Sequence, residues 1–283
     1  MEVIGIDMGG SAIKAGYFEN GTLRGQTRVP TLSDEGREAI LRQILSCIRC
    51  LIQSHGPIQG VGLVSSGDIA SDGTFLKAHN LSALEGFNLK QAIEEAFGVP
   101  AFLENDAVGA LVGELYRFPK SRNLTMLTFG TGIGSASFFN GKILHGGEYD
   151  FGHMVLIPNG EPCKCGKRGC AEAYLSATAL KRFASTAYGY PVKTMEFFEK
   201  CRQKEPIAHQ ILDDYALLLS VLLERIVSSA HPDTIILGGG VMGAMDLISP
   251  RIKPVSTRVV FSKMGNQAGM FGAAIIASKG LAK

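Results

Sequence analysis

His153, Cys163, Cys165 and Cys170 stand close together in the chain. Three thiolates and an imidazole are a tetrahedral zinc set, and four protein ligands leave no open coordination position, so a metal held there is structural and not catalytic. The alternative is reduced, buried cysteines. Against it, Gly166 and Gly169 alternate with Lys164, Lys167 and Arg168, the composition of an exposed turn. A disulfide does not suit a cytoplasmic chain. Cys47 and Cys50 form a second Cys-x-x-Cys inside a helical pattern, without the helix N-terminal position that makes such thiols reactive. With Cys201 they read as small core or surface residues.

Two glycine turns carry a different chemistry. Asp7-Met8-Gly9-Gly10-Ser11 closes an apolar run. Glycine lets backbone N–H groups approach phosphate oxygens, and a carboxylate at a strand end can hold Mg²⁺ through water. An ordinary tight hairpin is the competing reading. Gly130-Thr131-Gly132-Ile133-Gly134 is the second turn. A strand and not a helix follows it, so the dinucleotide-binding fingerprint lacks its context and a Rossmann dehydrogenase is disfavoured. As a pair, the turns favour phosphate binding. Glu104-Asn105-Asp106 ends one strand and opens a helix. Asp106 there is either the helix N-cap or the group that accepts a hydroxyl proton during phosphoryl transfer.

The elements that must position these residues follow from periodicity. Val3–Asp7, Ala12–Glu19 and a third strand through Val29 form an antiparallel set with an Asn20-Gly21 hairpin. Apolar residues from Ile40 to Ile52 recur at helical spacing, with Ser33 or Asp34 as cap. Strands at Val61–Val64 and Ala101–Glu104 alternate with helices at Leu89–Phe97 and Ala107–Tyr116, as in an α/β domain. After a proline-broken crossing at 117–123 the opening repeats: strand Leu124–Phe129, glycine turn, strand Ser135–Phe139, Asn140-Gly141, strand Lys142–His145. Such self-similarity predicts two related halves. Helices are expected near 171–187, 195–203, 207–230 and 267–279, and a strand at Thr234–Leu237 runs into Gly238-Gly239-Gly240. The leucine-rich stretch Tyr215–Ile226 reads as core, with a dimer face second.

Composition bounds the partners. The 283 residues exceed one comfortable core, and 28 basic against 26 acidic side chains leave a net charge of +2, which gives no sign of a nucleic-acid partner. No apolar run approaches the ~20 residues that span a bilayer and no signal peptide is evident, so a cytoplasmic protein without a membrane partner is expected. Glycine is high, 35 residues, consistent with many tight turns.

Taken in order, Ile4-Gly5-Ile6-Asp7-Met8-Gly9-Gly10-Ser11, Glu104-Asn105-Asp106-Ala107, Gly130–Gly134, Gly152-His153-Met154, Cys163-x-Cys165-Gly166-x-x-Gly169-Cys170-x-Glu172 and Leu237–Val241 resemble the ROK family of sugar kinases and repressors. The resemblance spans residue 3 to about 275 and implies an α/β, two-domain, actin-like and hexokinase-like ATPase fold, with duplicated RNase H-like halves and a cleft between them. The expected domains are 1–117 and 118–266, with the zinc loop at 146–172 and the last helix, about 267–283, packing back on the first. It implies a kinase that transfers the γ-phosphoryl group of ATP to a glucose-like hexose. Asp106 would be the base and Asp7 would organise Mg²⁺. Gly9, Gly10, Ser11, Lys14, Thr131 and Gly132 would serve the phosphates, and Gly239 and Gly240 would lie by the adenosine. Gly67, Asn80, Asn105, Asp106, Asp150, His153 and Glu172 would contact the sugar. His153 would use one ring nitrogen for structural Zn²⁺ and the other for substrate, so the metal fixes a sugar ligand and its tautomer. A homodimer is the expected assembly.

The sequence departs from the family pattern at several positions. Ser11 stands for the usual Thr and keeps the hydroxyl, and Ser66-Gly67 replaces Pro-Gly. Asn80-Leu81 is retained without the Pro-Gly and Trp that follow in glucokinases. Asp150 occupies the place of a sugar-binding Glu, and one methylene fewer withdraws the carboxylate by more than about 1 Å. An N-acetylhexosamine kinase and a catalytically silent sugar-binding regulator are the alternatives. Retention of Asp7, Asp106 and both glycine turns speaks against the silent one. The repressor branch begins with a helix-turn-helix domain, whereas this sequence opens on the first strand, so DNA binding is disfavoured.

Overall fold

The structure is a computed structural model and describes residues 1–78, 81–115, 117–118 and 121–282. It divides into two compact units, Met1–Pro119 with Gln267–Lys283, and Lys120–Asn266.

In the first unit the order is β1 (Glu2–Met8), β2 (Ala12–Glu19), β3 (Thr22–Pro30), α1 (Arg37–His55), β4 (Gly60–Ser65), β5 (Asp68–Ile69), β6 (Phe75–Lys77), α2 (Leu89–Phe97), β7 (Ala101–Asn105) and α3 (Asp106–Leu115). The main sheet runs β3-β2-β1-β4-β7, antiparallel through the first three strands and parallel across β1, β4 and β7. β1 and β4 are nearly all buried, as parallel strands covered on both faces must be. β3 alternates strictly and shows Arg24 and Arg28 to solvent, which discourages edge pairing. Its hairpin has Asn20 at φ 50° and Gly21 at φ 78°, the two left-handed residues of a type I′ turn.

The second unit contains β8 (Asn123–Phe129), β9 (Ile133–Phe139), β10 (Lys142–His145), α4 (Glu172–Leu175), α5 (Ala177–Tyr188), α6 (Thr194–Arg202), α7 (Pro206–Ala230), β11 (Thr234–Gly238), α8 (Met245–Ile248) and β12 (Arg258–Phe261). Its sheet runs β10-β9-β8-β11-β12 with the same directions, so the repeat read from the sequence is a repeat of topology. The leucine-rich face of α7 is core: Tyr215, Leu219, Leu222, Leu223 and Ile226 are buried.

Helix α9 (Ala268–Leu281) belongs to the first unit. It lies backbone to backbone on the sheet and on α3, because glycine stands at each crossing. A Cβ on Gly62 would fall 1.9 Å from the Ala273 carbonyl oxygen, and one on Gly272 would fall 1.8 Å from that of Gly109.

Several local expectations are corrected. Ser33 and Asp34 form a short 3₁₀ turn, and α1 starts after Gly36 with no side-chain cap, since the chain enters at φ 90°. The β5–β6 hairpin and β12 are too short to show a period. The helix expected near 171–187 is two helices broken at Ser176, which turns extended and caps α5 by accepting the Ala179 N–H at 3.1 Å. The strand expected from Ser135 begins at Ile133, which shortens the second glycine turn.

Candidate active site

Three parallel strands of the first unit end together: Asp7 lies level with Val64, Met8 with Ser65, Val64 with Glu104 and Ser65 with Asn105. The carboxyl ends of parallel strands are where α/β sheets bind ligands. Asp7, half-buried, pairs with Lys14 Nζ at 3.0 Å across the β1–β2 hairpin. A Cβ on Gly269, in the first turn of α9, would come within 3.0 Å of the Asp7 carboxyl carbon. Gly269 therefore belongs to this corner, although no local motif marks it. The turn between β1 and β2 is held by Gly9 N–H on the Ala12 carbonyl at 3.0 Å and by the Thr31 hydroxyl on the Gly9 carbonyl at 2.6 Å. Gly10 follows Gly9 in this turn, and Ser11, exposed, leads into β2.

Asn105 joins the next two strand ends. Its Nδ2 donates to the Gly67 carbonyl at 3.2 Å, while its Oδ1 accepts the Ala107 and Val108 N–H groups at 2.9 and 3.4 Å. Asn105, and not Asp106, is thus the N-cap of α3. Asp106 is the first helical residue, and its Oδ1 also meets the Ala107 N–H at 2.9 Å. Gly67 sits at φ 125°, where a Cβ would strike the Lys77 carbonyl. Asn80 lies outside the described residues.

In the second unit the Gly130–Gly132 turn is gripped from several sides. Its own Gly130 N–H reaches the Gly132 carbonyl at 2.9 Å, while the Gly130 carbonyl accepts the Ala177 N–H at 2.8 Å and the Thr131 carbonyl the Thr178 hydroxyl at 2.7 Å. Gly239 abuts the same turn at φ 88°, with room for no Cβ beside the Phe129 backbone 2.5 Å away, and Gly240 follows it. The residues expected at phosphate and adenosine, Thr131, Gly132, Gly239 and Gly240, therefore form one corner at the ends of β8 and β11, where Gly238 is level with Thr128.

The zinc candidates converge. The ligand atoms of His153, Cys163, Cys165 and Cys170 all lie within 4.8 Å of one another. His153 Nδ1 is 3.5 Å from Cys163 Sγ, and the Cys165 and Cys170 sulfurs are 3.6 Å apart. A tetrahedron with Zn–S bonds of ~2.3 Å has S–S edges of ~3.8 Å, so the donor set fits the ion. Burial pushes the Cys170 thiol up to about 12 and raises that of Cys163. A cation is what favours the thiolate in such surroundings. Gly169 makes the loop possible: at φ 82° it passes so close to Ile157 that a Cβ would fall 1.7 Å from the carbonyl oxygen. Burial likewise holds the Cys47 and Cys201 thiols up near about 11, while Cys50 is exposed.

Glu172 connects the two features of this unit. One carboxylate oxygen accepts the Ile133 N–H at 2.9 Å, at the end of the glycine turn, and the other lies 3.8 Å from Cys163 Sγ. Asp150 joins two consecutive 3₁₀ turns, the second of which ends at His153, whose N–H donates to the Asp150 carbonyl at 3.1 Å.

The sequence matches the ROK family over residues 3–280. The chain belongs to the ROK family. A glucokinase of Thermotoga maritima is 31% identical over 98% of this chain and 97% of its own. An N-acetylmannosamine kinase of Haemophilus influenzae is 29% identical over 97% of this chain and 94% of its own. Among solved structures, a ROK family glucokinase from Streptomyces griseus in complex with glucose and AMPPNP superposes with a TM-score of 0.85, at 27% identity and over 99% and 100% of the two chains. The fold of this ROK protein is the actin-like ATPase fold, as the resemblance to the family implied. Among the described residues, no helix is long and apolar enough to cross a membrane.

Proposed function

We propose that this ROK protein is an ATP-dependent sugar kinase acting on a glucose-like hexose, with Asp106 as the base. The observation that carries the base assignment is the placement of Asp106 at the carboxyl end of β7, where Asn105 is the N-cap of α3 and Asp106, which shares the Ala107 N–H with it, is the first helical residue. The Asp106 carboxylate accepts the proton of the sugar hydroxyl as that oxygen bonds to the γ-phosphorus. The bond from γ-phosphorus to the bridging oxygen breaks, and ADP departs with the electron pair. Asn105 orients the strand end and, with Gly67, Asn80, Asp150, His153 and Glu172, binds the sugar. Gly9, Gly10, Ser11, Lys14, Thr131 and Gly132 bind phosphate, and Gly239 and Gly240 leave space for the nucleoside. Mg²⁺ neutralises phosphate charge when bound, and Asp7 is the carboxylate that would hold it through water.

His153, Cys163, Cys165 and Cys170 would hold one structural Zn²⁺ per chain. With all four positions taken, the ion fixes the loop and supplies no reaction step. The glucokinases and N-acetylmannosamine kinases among the relatives define the substrate candidates. An ADP-release assay with ATP against D-glucose, D-mannose, N-acetyl-D-mannosamine and N-acetyl-D-glucosamine tests the reading. We expect saturable turnover with at least one. No sugar-dependent ADP release from metal-loaded protein would leave the sugar-binding regulator as the better description.

A further inference from the structure

The hydroxyl of Ser135, on β9 and only 6% exposed, makes two hydrogen bonds to one loop. It donates to the Tyr149 carbonyl at 2.8 Å and accepts the Phe151 N–H at 2.9 Å. These groups belong to the two peptide planes that flank Asp150, so a single side chain fixes both. Asp150 itself adopts φ −86°, ψ 71°, close to an inverse γ-turn and outside both helix and strand. The following turn is seated on the same strand, because a Cβ on Gly152 would fall 2.3 Å from the Ile133 carbonyl oxygen. From Asp150 the ladder continues to His153, whose N–H meets the Asp150 carbonyl at 3.1 Å.

We infer that Ser135 is a positioning residue for sugar specificity: it sets the backbone of Asp150 and thereby the reach of that carboxylate toward a sugar hydroxyl. The inference rests on the proposed sugar-facing role of Asp150. A short carboxylate compensates poorly for backbone displacement, since it has one fewer rotatable bond than Glu to recover the contact. Loss of the Ser135 hydroxyl also leaves a buried N–H and a half-buried carbonyl without this partner, which favours rearrangement of the loop over retention of its path.

The experiment compares wild type, Ser135→Ala, Asp150→Ala and the double variant, with ATP and each of D-glucose, D-mannose, N-acetyl-D-mannosamine and N-acetyl-D-glucosamine. For the best sugar we expect Ser135→Ala to raise KM about three- to tenfold. The ratio of kcat/KM between sugars should shift, while KM for ATP stays within about twofold. A role through Asp150 further requires that the double variant match Asp150→Ala in its sugar ratios. Should Ser135→Ala not fold, Ser135→Thr and Ser135→Val differ by a hydroxyl at nearly constant shape, and only the first should keep the wild-type profile. Wild-type turnover tests the kinase reading separately. An active wild type whose sugar ratios are unmoved by Ser135→Ala, or by Ser135→Val against Ser135→Thr, overturns the assignment of Ser135.

Discussion

Asn105 and Asp106 are adjacent acceptors with different duties, and the difference decides what a mutation at each should do. Asn105 satisfies two of the first N–H groups of α3 and ties that helix to Gly67. Its loss should cost about 1 kcal/mol of stability as well as the site geometry. Asp106 at the first helical position accepts the Ala107 N–H and places its charge at the helix N-terminus, where the dipole contributes a few tenths to about 1 kcal/mol. Asp106→Asn keeps the shape and the Oδ1 acceptor but cannot take a proton. We expect kcat to fall by about two orders of magnitude or more, with nucleotide binding intact and Tm shifted little. Turnover of the folded variant within a few-fold of wild type would falsify the base assignment.

The N-terminus of α5 does for the second glycine turn what Asn105 does for α3. The helix starts there only because Ser176 breaks it from α4, and the break aims the Ala177 N–H and the Thr178 hydroxyl at the carbonyls of Gly130 and Thr131. With its carbonyls held by the helix, the turn is organised before phosphate arrives, and preorganisation lowers the cost of binding. Thr178→Val removes the hydroxyl at constant shape. Its expected effect is a three- to tenfold weaker affinity for AMPPNP, read by calorimetry, with sugar KM nearly unchanged. Equal affinity in the variant would mean that the hydroxyl does not organise the turn. The Ser135 clamp is the corresponding device on the loop of Asp150, so these two features, both expected to touch substrate, are each braced by a hydroxyl from a neighbouring element.

At the scale of the whole molecule, residues 158–169 carry no large apolar side chain, and a metal held by His153, Cys163, Cys165 and Cys170 would stabilise this turn where a core cannot. The loop reaches the glycine turn of its own unit through Glu172, which faces Ile133 N–H on one side and Cys163 on the other. Zinc at 100-fold excess over its dissociation constant would stabilise the native state by about 2.7 kcal/mol, and 1 kcal/mol moves Tm by ~2–4 °C at this chain length. Chelation should therefore lower Tm by about 5–10 °C, with one equivalent of zinc released by metal analysis. Protein purified without added zinc that holds none, and whose Tm ignores chelator, would rule out the metal centre.

The features legible in the sequence are those written in short spacings. The Asn-Gly hairpins, the strand–turn–strand repeat, the Asp7 and Gly130 turns and the His153–Cys170 donor set each depend on residues close in the chain, where backbone geometry and ligand spacing leave few alternatives. Asp106 was legible as a strand-end carboxylate but not as the first helical residue beside the cap, because Asn and Asp are nearly equal caps and only the path of the chain chose Asn105. Distant contacts left no local mark. Gly269 beside Asp7, the glycines that let α9 lie on β1, β4 and α3, and the reach of Glu172 to Ile133 join segments well separated in sequence, and the Ser135 bonds around Asp150 run to backbone groups that no spacing marks. A glycine or serine has the same local propensities whether it faces solvent or another backbone 2 Å beyond its missing Cβ. Which of these it meets is decided by the packing of the completed units, so the chain alone determined the chemistry on offer and tertiary structure determined how each group is held.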